Sequence, residues 1–379
     1  MATTAACGTG DATSTATTEP PTAAEAVTSS ALPAPAAPAA PVVDACTSAI
    51  EALTLRQRLA QLLTVGVTGT EDAVSVVQSE QVGGVFVGSW TDKQMLTGGG
   101  VAQMQQASPI PVMVTIDEEG GRVSRTRDLL GSMPSARETA ATMTPEQTYD
   151  MWLQRGRALS DLGITVDFAP DVDVSSQPDD TVIGDRSYSD DPATVVTYAG
   201  AAARGLRDAG ILPVIKHFPG HGAGSGDSHT GAVTTPALEE LQGRDLVPFR
   251  DLVTSGVGVM MGHLDVPGLT TDGVPASISP AAMSLVRDGA GYGAPPFTGP
   301  IFTDDLSGMA AITSRLGIEK AALAALVAGA DVALWITTDA VTSVLDDLEA
   351  AVASGELPAD RVDDAVRTVI TAKNALGCS

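Results

Sequence analysis

Basic residues are scarce in this chain. Its 379 residues include 21 Lys and Arg against 46 Asp and Glu, which gives a formal net charge of −25. Such an acidic chain repels nucleic acid and anionic lipid head groups, and we expect neither as a partner. Apolar runs are also short, and none reaches the roughly 18 residues that indicate a membrane-spanning helix. The length still allows one large domain or two ordinary ones with a sizeable core.

Cysteine and histidine are scarce as well. The three cysteines are Cys7, Cys46 and Cys378, and no Cys-x-x-Cys pair occurs, which excludes a zinc ribbon or a dithiol redox motif. Histidine occurs four times, and three of these residues lie in the window 216–230. Chance does not readily produce so uneven a distribution, and the window is therefore a candidate site.

The first 45 residues differ in composition from the rest of the chain. They contain no Lys, Arg or aromatic residue, and Ala, Thr, Ser and Pro dominate. Such a segment cannot bury enough apolar area to fold, so we predict a low-complexity tether over residues 1–45 and a folded domain over 46–379. Around Cys7 the sequence Thr-Ala-Ala-Cys-Gly resembles a bacterial lipobox, although Leu usually stands in place of Thr4. We favour an exported lipoprotein on the outer face of the cytoplasmic membrane over a tail with a stray cysteine.

From about residue 50 onward, short apolar runs alternate with longer amphipathic ones. Eight short runs are predicted as buried strands, at residues 63–67, 84–87, 112–116, 165–169, 213–215, 256–261, 300–303 and 332–336. Helices are predicted at 145–162, 192–209, 237–255 and 309–328, and two more, at 340–354 and 358–375, end the chain. Eight strand-then-helix units predict an α/β fold, a single-domain (β/α)8 TIM-type barrel, better than an open doubly wound sheet.

The histidine-rich window follows the fifth predicted strand. Its sequence is Lys-His-Phe-Pro-Gly-His-Gly-Ala-Gly-Ser-Gly-Asp-Ser-His-Thr, and five of these fifteen residues are Gly or Pro, which predicts an irregular loop throughout. A Gly-rich loop at the end of a barrel strand is a usual place for chemistry. The alternative is a flexible surface turn, which the clustering of His217, His221 and His229 makes the poorer explanation.

Polar residues also follow the other predicted strands. They include Asp117, Arg122 and Arg125 after the third strand, Asp167 within the fourth strand with Asp171, Asp173 and Arg186 after it, His263 after the sixth and Asp304 after the seventh. In a barrel these strand ends meet at one face, where active sites are built. A single cluster could be structural ion pairing. Together with the histidine-rich window after the fifth strand, however, there are five clusters at the same topological position, which indicate a site for a polar, hydroxyl-rich ligand.

A carboxylate at a strand end and an acid on a loop suit glycoside cleavage. Asp304 would be the nucleophile or would stabilise an oxocarbenium ion. His229 would be the general acid/base, since Asp227, two residues earlier, can orient its ring and tune its proton affinity. The alternative is a zinc site made from Asp227 and the three histidines of the window. Pro219 and Gly220, however, prevent the helix that a His-x3-His zinc motif needs.

Five motifs in this order resemble those of glycoside hydrolase family 3. They are Asp-Glu-Glu-Gly-Gly-Arg at 117–122, Ile-Gly-Asp-Arg-Ser at 183–187, Lys-His-Phe-Pro-Gly-His-Gly at 216–222, Asp-Ser-His at 227–229 and Phe-Thr-Asp-Asp-Leu at 302–306. The resemblance covers about residues 50–375. It is greatest to the single-domain β-N-acetylglucosaminidases that trim peptidoglycan fragments, and the tether resembles their lipoprotein branch.

The resemblance implies a retaining exo-β-N-acetylglucosaminidase. It implies that Asp304 is the nucleophile, His229 the acid/base and Asp227 its partner. Five more residues match positions that bind the hydroxyl groups of the terminal N-acetylglucosamine: Asp117, Arg125, Arg186, Lys216 and His217. We expect no metal and no cofactor.

The chain departs from the family pattern at three positions. Glu118 stands where Gln is usual, Thr303 where Ser is usual, and Asp305 where the two-domain members have Trp. The first two departures are not expected to affect the chemistry. The third leaves two neighbouring candidates for the nucleophile. Because adjacent side chains of a strand point to opposite faces, only one of Asp304 and Asp305 can face the barrel mouth directly.

Two other functions stay open on the sequence. One is a phosphorylase, because a histidine acid/base leaves the site less negative than a glutamate would, and phosphate could then attack in place of water. The other is a non-catalytic sugar-binding lipoprotein, which would not need Asp304, Asp227 and His229 together. We expect a monomer that acts on a small muropeptide or disaccharide containing N-acetylglucosamine, with membrane contact only through a lipid on Cys7.

The remaining cysteines are predicted to form a disulfide. If Cys7 carries lipid, Cys46 and Cys378 are left, and they flank the predicted barrel. Barrel closure brings the chain ends near each other, so we predict a Cys46–Cys378 disulfide, which is consistent with an exported protein.

Overall fold

Eight parallel strands form the centre of the fold in a computed structural model that describes residues 45–374, 376 and 378. The strands are β1 (Leu63–Gly66), β2 (Gly84–Val87), β3 (Met113–Ile116), β4 (Val166–Asp167), β5 (Leu212–Phe218), β6 (Gly258–Met261), β7 (Ile301–Thr303) and β8 (Ala333–Trp335). Their order in the sheet is β7-β6-β5-β4-β3-β2-β1-β8. A parallel bridge between Phe302 and Val332 joins the two ends of the sheet. The predicted (β/α)8 barrel is confirmed. Residues 1–44 of the predicted tether, with Cys7, lie outside the described residues.

α-Helices follow the strands around the barrel. They are Ala45–Glu51, Leu55–Ala60, Thr70–Glu80, Gln94–Thr97, Gly100–Gln106, Arg127–Leu130, Ala136–Thr142, Pro145–Asp161, Pro192–Asp208, Leu238–Gly243, Leu246–Leu252, Pro280–Asp288, Ala310–Thr313, Ile318–Ala328, Val341–Ser354 and Ala359–Ala372. Short 3-10 helices lie at Gly184–Arg186, Ala276–Ile278 and Ala290–Tyr292. Within the described residues, no helix combines the length and the apolar character that crossing a membrane would require.

Local sequence signals set the ends of the two longest helices. Thr144 caps Pro145–Asp161 in a reciprocal capping box with Gln147, and Asp191 caps Pro192–Asp208. Each of these helices has Pro in its first turn, where the missing N–H costs no hydrogen bond. The predicted boundaries of both helices are correct to within one residue.

Two helices that were predicted as continuous are each divided. The segment 237–255 breaks at Arg244, whose backbone leaves the helical region at φ −135° and ψ −75°. The segment 309–328 breaks before Ile318–Ala328, where Gly317 is extended at φ −71° and ψ 162°. Apolar periodicity continues across both breaks, and it therefore did not reveal them.

The length of β5 differs from the prediction. The sequence indicated a strand that ended at residue 215, but β5 continues through Lys216, His217 and Phe218. Phe218 pairs with Met261 of β6, and Lys216 forms a bridge with Asp171. The prediction of an irregular loop was wrong for these three residues, because their backbone completes the sheet and their side chains fill the buried end of the barrel.

A row of aromatic rings runs through the barrel interior. Phe302, Phe168 and Phe86 are buried, and successive ring centroids lie 5.4 and 5.9 Å apart. Trp90 continues the row at 5.9 Å from Phe86, and it is 44% exposed. Because Trp90 follows β2, the row leads from the core to the C-terminal end of the barrel.

A disulfide joins the two ends of the folded domain. The Cα atoms of Cys46 and Cys378 lie 4.8 Å apart, and both side chains are buried. The predicted pairing of these cysteines is confirmed.

Candidate active site

A cavity of about 310 Å³ opens at the C-terminal ends of the strands. All eight residues that the sequence assigned to the site line it: Asp117, Arg125, Arg186, Lys216, His217, Asp227, His229 and Asp304. A cavity of this volume suits a small ligand. Residues that are up to 187 positions apart in the chain, from Asp117 to Asp304, thus meet at one place because parallel strands end at one face.

Lys216 is the centre of an ion-pair network in the cavity wall. Its Nζ lies 2.7 Å from Oδ1 of Asp117 and 2.6 Å from Oε1 of Glu119. Arg186 donates two hydrogen bonds of 2.8 Å to the two carboxylate oxygens of Glu119. Nη2 of Arg125 lies 3.5 Å from Oδ2 of Asp117. Charged groups that are held in this way present fixed donors and acceptors to a polar ligand.

The network keeps two buried groups charged. Burial opposes the ionisation of Glu119, but Arg186 and Lys216 outweigh it and hold the pKa of this carboxyl well below its usual value. Burial also opposes the charge of Lys216, but the carboxylates of Asp117 and Glu119 outweigh it and raise the pKa of the ammonium group. Both residues therefore remain charged at neutral pH.

His217 is oriented by Asp173. Nδ1 of His217 lies 2.7 Å from Oδ2 of Asp173, and Nε2 lies 3.4 Å from Nη2 of Arg186. A guanidinium group can only donate, so this arrangement assigns the ring proton to Nδ1. Oδ1 of Asp173 also accepts a hydrogen bond of 2.6 Å from the backbone N of His221. Burial opposes the ionisation of Asp173, but His217 outweighs it and lowers the pKa to about 2.

Three of these residues are close enough together to hold a metal ion. One ligand atom from each of Asp171, Asp173 and His217 lies within 4.8 Å of the others. Arg186 approaches Oδ2 of Asp171 to 3.5 Å, and burial raises the pKa of the Asp171 carboxyl well above its usual value. The zinc site that was considered from the sequence would also need His229, which does not join any such group among the described residues.

Asp304 and Asp305 have different surroundings. Oδ1 of Asp305 accepts hydrogen bonds from N and Oγ of Ser307, at 2.8 and 3.0 Å, and Oδ2 accepts one of 2.9 Å from N of Gly308. Asp305 therefore fixes the turn after β7. Asp304 lines the 310 Å³ cavity, and Asp305 does not.

The two carboxyl groups also differ in acidity. Burial would raise the pKa of Asp304, but the imidazoles of His217 and His263 outweigh it and lower the pKa. The pKa of Asp305 is raised, and burial is the main cause. Asp304 is therefore the stronger acid and the carboxylate that faces the cavity.

His229 and Asp227 form a pair at the mouth of the cavity. Oδ1 of Asp227 lies 2.7 Å from Nδ1 of His229 and accepts a hydrogen bond of 2.9 Å from its backbone N. The side chain of His229 is 61% exposed and that of Asp227 is 41% exposed. Burial opposes the ionisation of Asp227, but the hydrogen bonds from His229 outweigh it and lower the pKa. The contact fixes the imidazole through Nδ1 and leaves Nε2 for a ligand.

Backbone contacts hold the loop that carries this pair. The amide of Ala311 donates a hydrogen bond of 3.0 Å to the carbonyl oxygen of Ser228, beside His229. Earlier in the loop, a Cβ at Gly222 would collide with the backbone of Val174. Glycine is therefore needed there for close packing, and the loop is better fixed than its composition indicated.

Glu118 is buried and organises the strand-and-turn segment that carries Arg125. Its carboxylate accepts hydrogen bonds from Oγ of Ser124 at 2.7 Å, N of Arg125 at 3.0 Å, and N and Oγ1 of Thr126 at 3.0 and 2.9 Å. The segment consists of Glu118–Gly120 paired antiparallel with Val123–Ser124. Glu118 does not line the cavity, but it fixes a residue that does.

No role was assigned from the sequence to two residues that position the site, Glu119 and Asp173. Glu119 lies within the 117–122 motif, and Asp173 lies in the acidic run after β4. The motifs showed that carboxylates were present, but they did not show which ones contact Lys216 and His217. The fourth histidine, His263, lies behind the site and contacts Oγ of Ser277 and the carbonyl oxygen of Asp305.

Comparison with known proteins identifies the family. The model described as "Glycosyl hydrolase family 3 N terminal domain" matches residues 54–372. The chain belongs to glycoside hydrolase family 3. It is therefore a glycoside hydrolase, and the resemblance that the five motifs indicated is confirmed.

Individual relatives match most of this chain. The Beta-hexosaminidase LpqI of Mycobacterium tuberculosis is 59% identical over 323 residues, which are 85% of this chain and 83% of that protein. The structure of a family 3 glycosyl hydrolase from Mycobacterium smegmatis matches with a TM-score of 0.84 and 57% identity, over 85% of this chain and 98% of that one. A family 3 β-N-acetylglucosaminidase from Paenibacillus matches with a TM-score of 0.79 and 33% identity, over 85% of this chain and 62% of that one.

Proposed function

We propose that this family 3 hydrolase is a retaining exo-β-N-acetylglucosaminidase that releases terminal N-acetylglucosamine from peptidoglycan fragments. The observation that carries the proposal is that Asp304 and the His229–Asp227 pair line one cavity together with a fixed network of charged groups. The names of two relatives support the choice of sugar, since one is a beta-hexosaminidase and the other a β-N-acetylglucosaminidase.

In the first step, a carboxylate oxygen of Asp304 attacks the anomeric carbon. The bond from this carbon to the glycosidic oxygen breaks, and the imidazolium of His229 gives its Nε2 proton to that oxygen. The leaving group departs with a free hydroxyl, and the sugar stays on Asp304 as an ester. The lowered pKa of Asp304 keeps this carboxylate ionised for the attack.

In the second step, neutral His229 takes a proton from water, whose oxygen bonds to the anomeric carbon while the ester bond to Asp304 breaks. The imidazolium is thereby regenerated, and ionised Asp227 stabilises it through Nδ1. Two inversions at one carbon restore the β configuration of the product. The usual inference of stereochemistry from the separation of two carboxyl groups does not apply, because the acid/base here is a histidine.

The network around Lys216 binds the terminal sugar in this proposal. Hydroxyl groups both donate and accept, so they can bridge the carboxylate of Asp117 and the cationic groups of Lys216, Arg125 and Arg186. Nε2 of His217 lies at the same surface. These five residues, Asp117, Arg125, Arg186, Lys216 and His217, are the proposed hydroxyl-binding set.

We place the enzyme at the cell envelope. The Cys46–Cys378 disulfide supports export, since disulfides persist in oxidising compartments. The tether over residues 1–45, the domain over 46–379 and the lipid on Cys7 stay predictions, as does the monomeric state.

Hydrolysis of a chromogenic β-N-acetylglucosaminide beside the corresponding β-glucoside tests the proposal. We expect turnover of the first substrate, its loss in Asp304→Ala, and a smaller loss in Asp305→Ala, provided that the latter variant folds. The first product seen by NMR should be the β-anomer. An α-anomer as the first product would refute the double displacement.

The same assay separates the alternative functions. A phosphorylase would form N-acetylglucosamine 1-phosphate when phosphate is added, because phosphate would then take the place of water. A sugar-binding protein would release no product under either condition. We expect free N-acetylglucosamine at an equal rate with and without phosphate.

A further inference from the structure

A second cavity, of about 230 Å³, adjoins the first one. The two share five lining residues: Asp117, Arg125, His229, Asp304 and Met309. Most of the remaining lining of the second cavity is apolar and comprises Phe86, Trp90, Phe168, Met260, Leu334 and Ile336, beside Asp305 and Gly308. Asp304 and His229 thus lie where a charged wall meets an apolar one.

Trp90 extends the apolar wall to the rim of the barrel. It also lines a third cavity of about 370 Å³, together with Ile336 and the polar residues Thr68 and Thr337. Trp90 is 44% exposed, whereas Trp152 and Trp335 are buried. Single exposed apolar side chains are common on proteins, so exposure alone indicates nothing. The position of Trp90, between the rim and the cavity of Asp304, is the informative observation.

An ordered turn holds Trp90 in this position. The amide of Gly88 donates a hydrogen bond of 3.0 Å to Oγ1 of Thr91, which donates one of 2.6 Å to the carbonyl oxygen of Val67. Nζ of Lys93 donates to the carbonyl oxygens of Gly88 and Thr91, at 2.7 and 2.9 Å. The turn therefore has little freedom to move the indole.

The indole ring of Trp90 is also packed against Gly88 and Phe86. A Cβ at Gly88 would collide with the ring of Trp90, so the ring lies against a residue that has no side chain. The ring of Phe86 contacts it at a centroid distance of 5.9 Å. Backbone and ring together support an aromatic surface that stays partly open to solvent at the edge of the site.

We propose that Trp90 is the platform for the leaving group of the reaction, and that this leaving group is a pyranose ring. Such a ring presents an apolar C–H face, which packs well against the electron-rich face of an indole. The charged wall would take the terminal sugar, and the apolar wall with Trp90 would take the next one. This inference rests on the proposed function and adds to it a binding site for the second sugar.

The test compares two substrates with the same terminal sugar. N,N′-diacetylchitobiose carries a sugar as its leaving group, and methyl β-N-acetylglucosaminide carries only a methyl group. We expect Trp90→Ala to lower the ratio of kcat/KM for the disaccharide to kcat/KM for the methyl glycoside about 10-fold, the usual scale of an aromatic stacking contact. Trp90→Phe should lower it less, because it keeps a ring.

Two further variants serve as controls. Val327→Ala removes another exposed apolar side chain, 39% exposed on the helix Ile318–Ala328, and should leave the ratio at the parent value. Gly88→Ala keeps Trp90 but displaces its ring, and it should lower the ratio in the same direction as Trp90→Ala. A ratio in Trp90→Ala that stays within about twofold of the parent would overturn the inference, since the expected loss is larger. An equal loss on both substrates would overturn it as well.

A binding measurement distinguishes this inference from the proposed function. Trp152 and Trp335 are buried, so a change in tryptophan emission on titration with the disaccharide reports on Trp90. The titration uses Asp304→Ala, which is expected not to cleave the disaccharide. We expect a saturable change in this variant and none when it also carries Trp90→Phe. If the parent cleaved neither substrate, the proposed function would fail, and this titration would still decide the platform. No change in Asp304→Ala at saturation would refute it.

Discussion

At the scale of single residues, the loss of the proton donor in a His229 variant distinguishes the proposed mechanism from a metal site. His229→Ala removes the donor that protonates the leaving oxygen. We expect kcat/KM for a disaccharide, which has a poor leaving group, to fall by roughly 10²- to 10⁴-fold, the usual contribution of general acid catalysis. A nitrophenyl glycoside should be affected far less, because its leaving group needs little protonation. Parallel kinetics with the two substrates measure the difference.

Asp227→Asn tests the role of the carboxylate that orients His229. It keeps the shape of the partner but removes the charge that favours the imidazolium, so its loss on the disaccharide should be intermediate. Neither a chelator nor added zinc should change the activity. An equal loss on both substrates in His229→Ala, together with a response to zinc, would favour the metal site instead.

A second residue-scale prediction concerns Asp245, which lies beside Gly220 of the histidine-rich loop. It is buried, neither carboxylate oxygen accepts a hydrogen bond, and Nη1 of Arg244 lies 3.8 Å from Oδ2. Burial raises the pKa of Asp245 to about 7. The folded protein thus keeps a proton that the unfolded chain releases near pH 4. The free energy of unfolding should fall between about pH 4 and pH 7, by on the order of 4 kcal/mol from this group.

Asp245→Asn removes this titration. Denaturant unfolding at pH 4.5 and pH 8 gives the free energy of unfolding of variant and parent. Variant minus parent should be more positive at pH 8 than at pH 4.5, because the folded parent holds the proton at pH 4.5 and loses the associated stability as the pH rises. Asp251→Asn is the control, because Asp251 is exposed on the neighbouring helix. The same difference between variant and parent at both pH values would show that Asp245 does not carry the raised pKa.

At the scale of elements, the segment from Glu118 to Thr126 links a buried carboxylate to substrate binding. Glu118→Ala removes the acceptor of four hydrogen bonds and frees the turn that presents Arg125. We expect KM for a β-N-acetylglucosaminide to rise about 10-fold, with a smaller change in kcat, because one or two binding contacts would be displaced.

Glu118→Gln is the conservative counterpart. It keeps a carbonyl acceptor, and the family resemblance gives Gln as the usual residue at this position. Its KM should therefore stay close to that of the parent. If Gln and Ala raised KM equally, the charge of Glu118 rather than its hydrogen bonds to the turn would be responsible.

The elements also show how far the sequence determines this structure. The eight strands could be predicted because each is a short apolar run between amphipathic stretches, and the two longest helices were predicted to within one residue of their ends. The breaks at Arg244 and Gly317 were missed because apolar periodicity continues across both. The continuation of β5 through His217 could not be predicted, because it depends on pairing with a strand distant in the chain. Pairing to β6 overrode the loop-like composition around Pro219.

The candidate site, too, could be predicted only in part from the sequence. Residue type and position were sufficient to predict that Asp304, at the end of a strand, and the loop residues His229 and Asp227 lie together, and all three line one cavity. They were not sufficient to rank Asp304 above Asp305, which required the hydrogen bonds that hold Asp305 to Ser307. The role of Trp90 had no sequence signal, because nothing in the pattern showed that this tryptophan is exposed beside the site.

At the scale of the whole molecule, the disulfide is expected to affect stability more than activity. It closes a loop between residues 332 positions apart, and constraint of the unfolded chain by so long a loop stabilises by at most about 5 kcal/mol. Cys46→Ser should lower the Tm by several degrees and leave kcat/KM at 25 °C unchanged, because Cys46 does not line the cavity. Cys378→Ser should match it, and mild reduction of the parent should reproduce both effects. A loss of activity at 25 °C without a change in Tm would contradict this expectation.

The same bond has a mechanical consequence. A pull on the chain from its N-terminal side reaches Cys46 almost at once, since the first described helix, Ala45–Glu51, begins one residue before it. Because the sulfur bridge ties Cys46 to Cys378, behind the final helix Ala359–Ala372, such a pull cannot draw the first helix away from the last one while the disulfide is intact. The two ends of the domain take up the tension together.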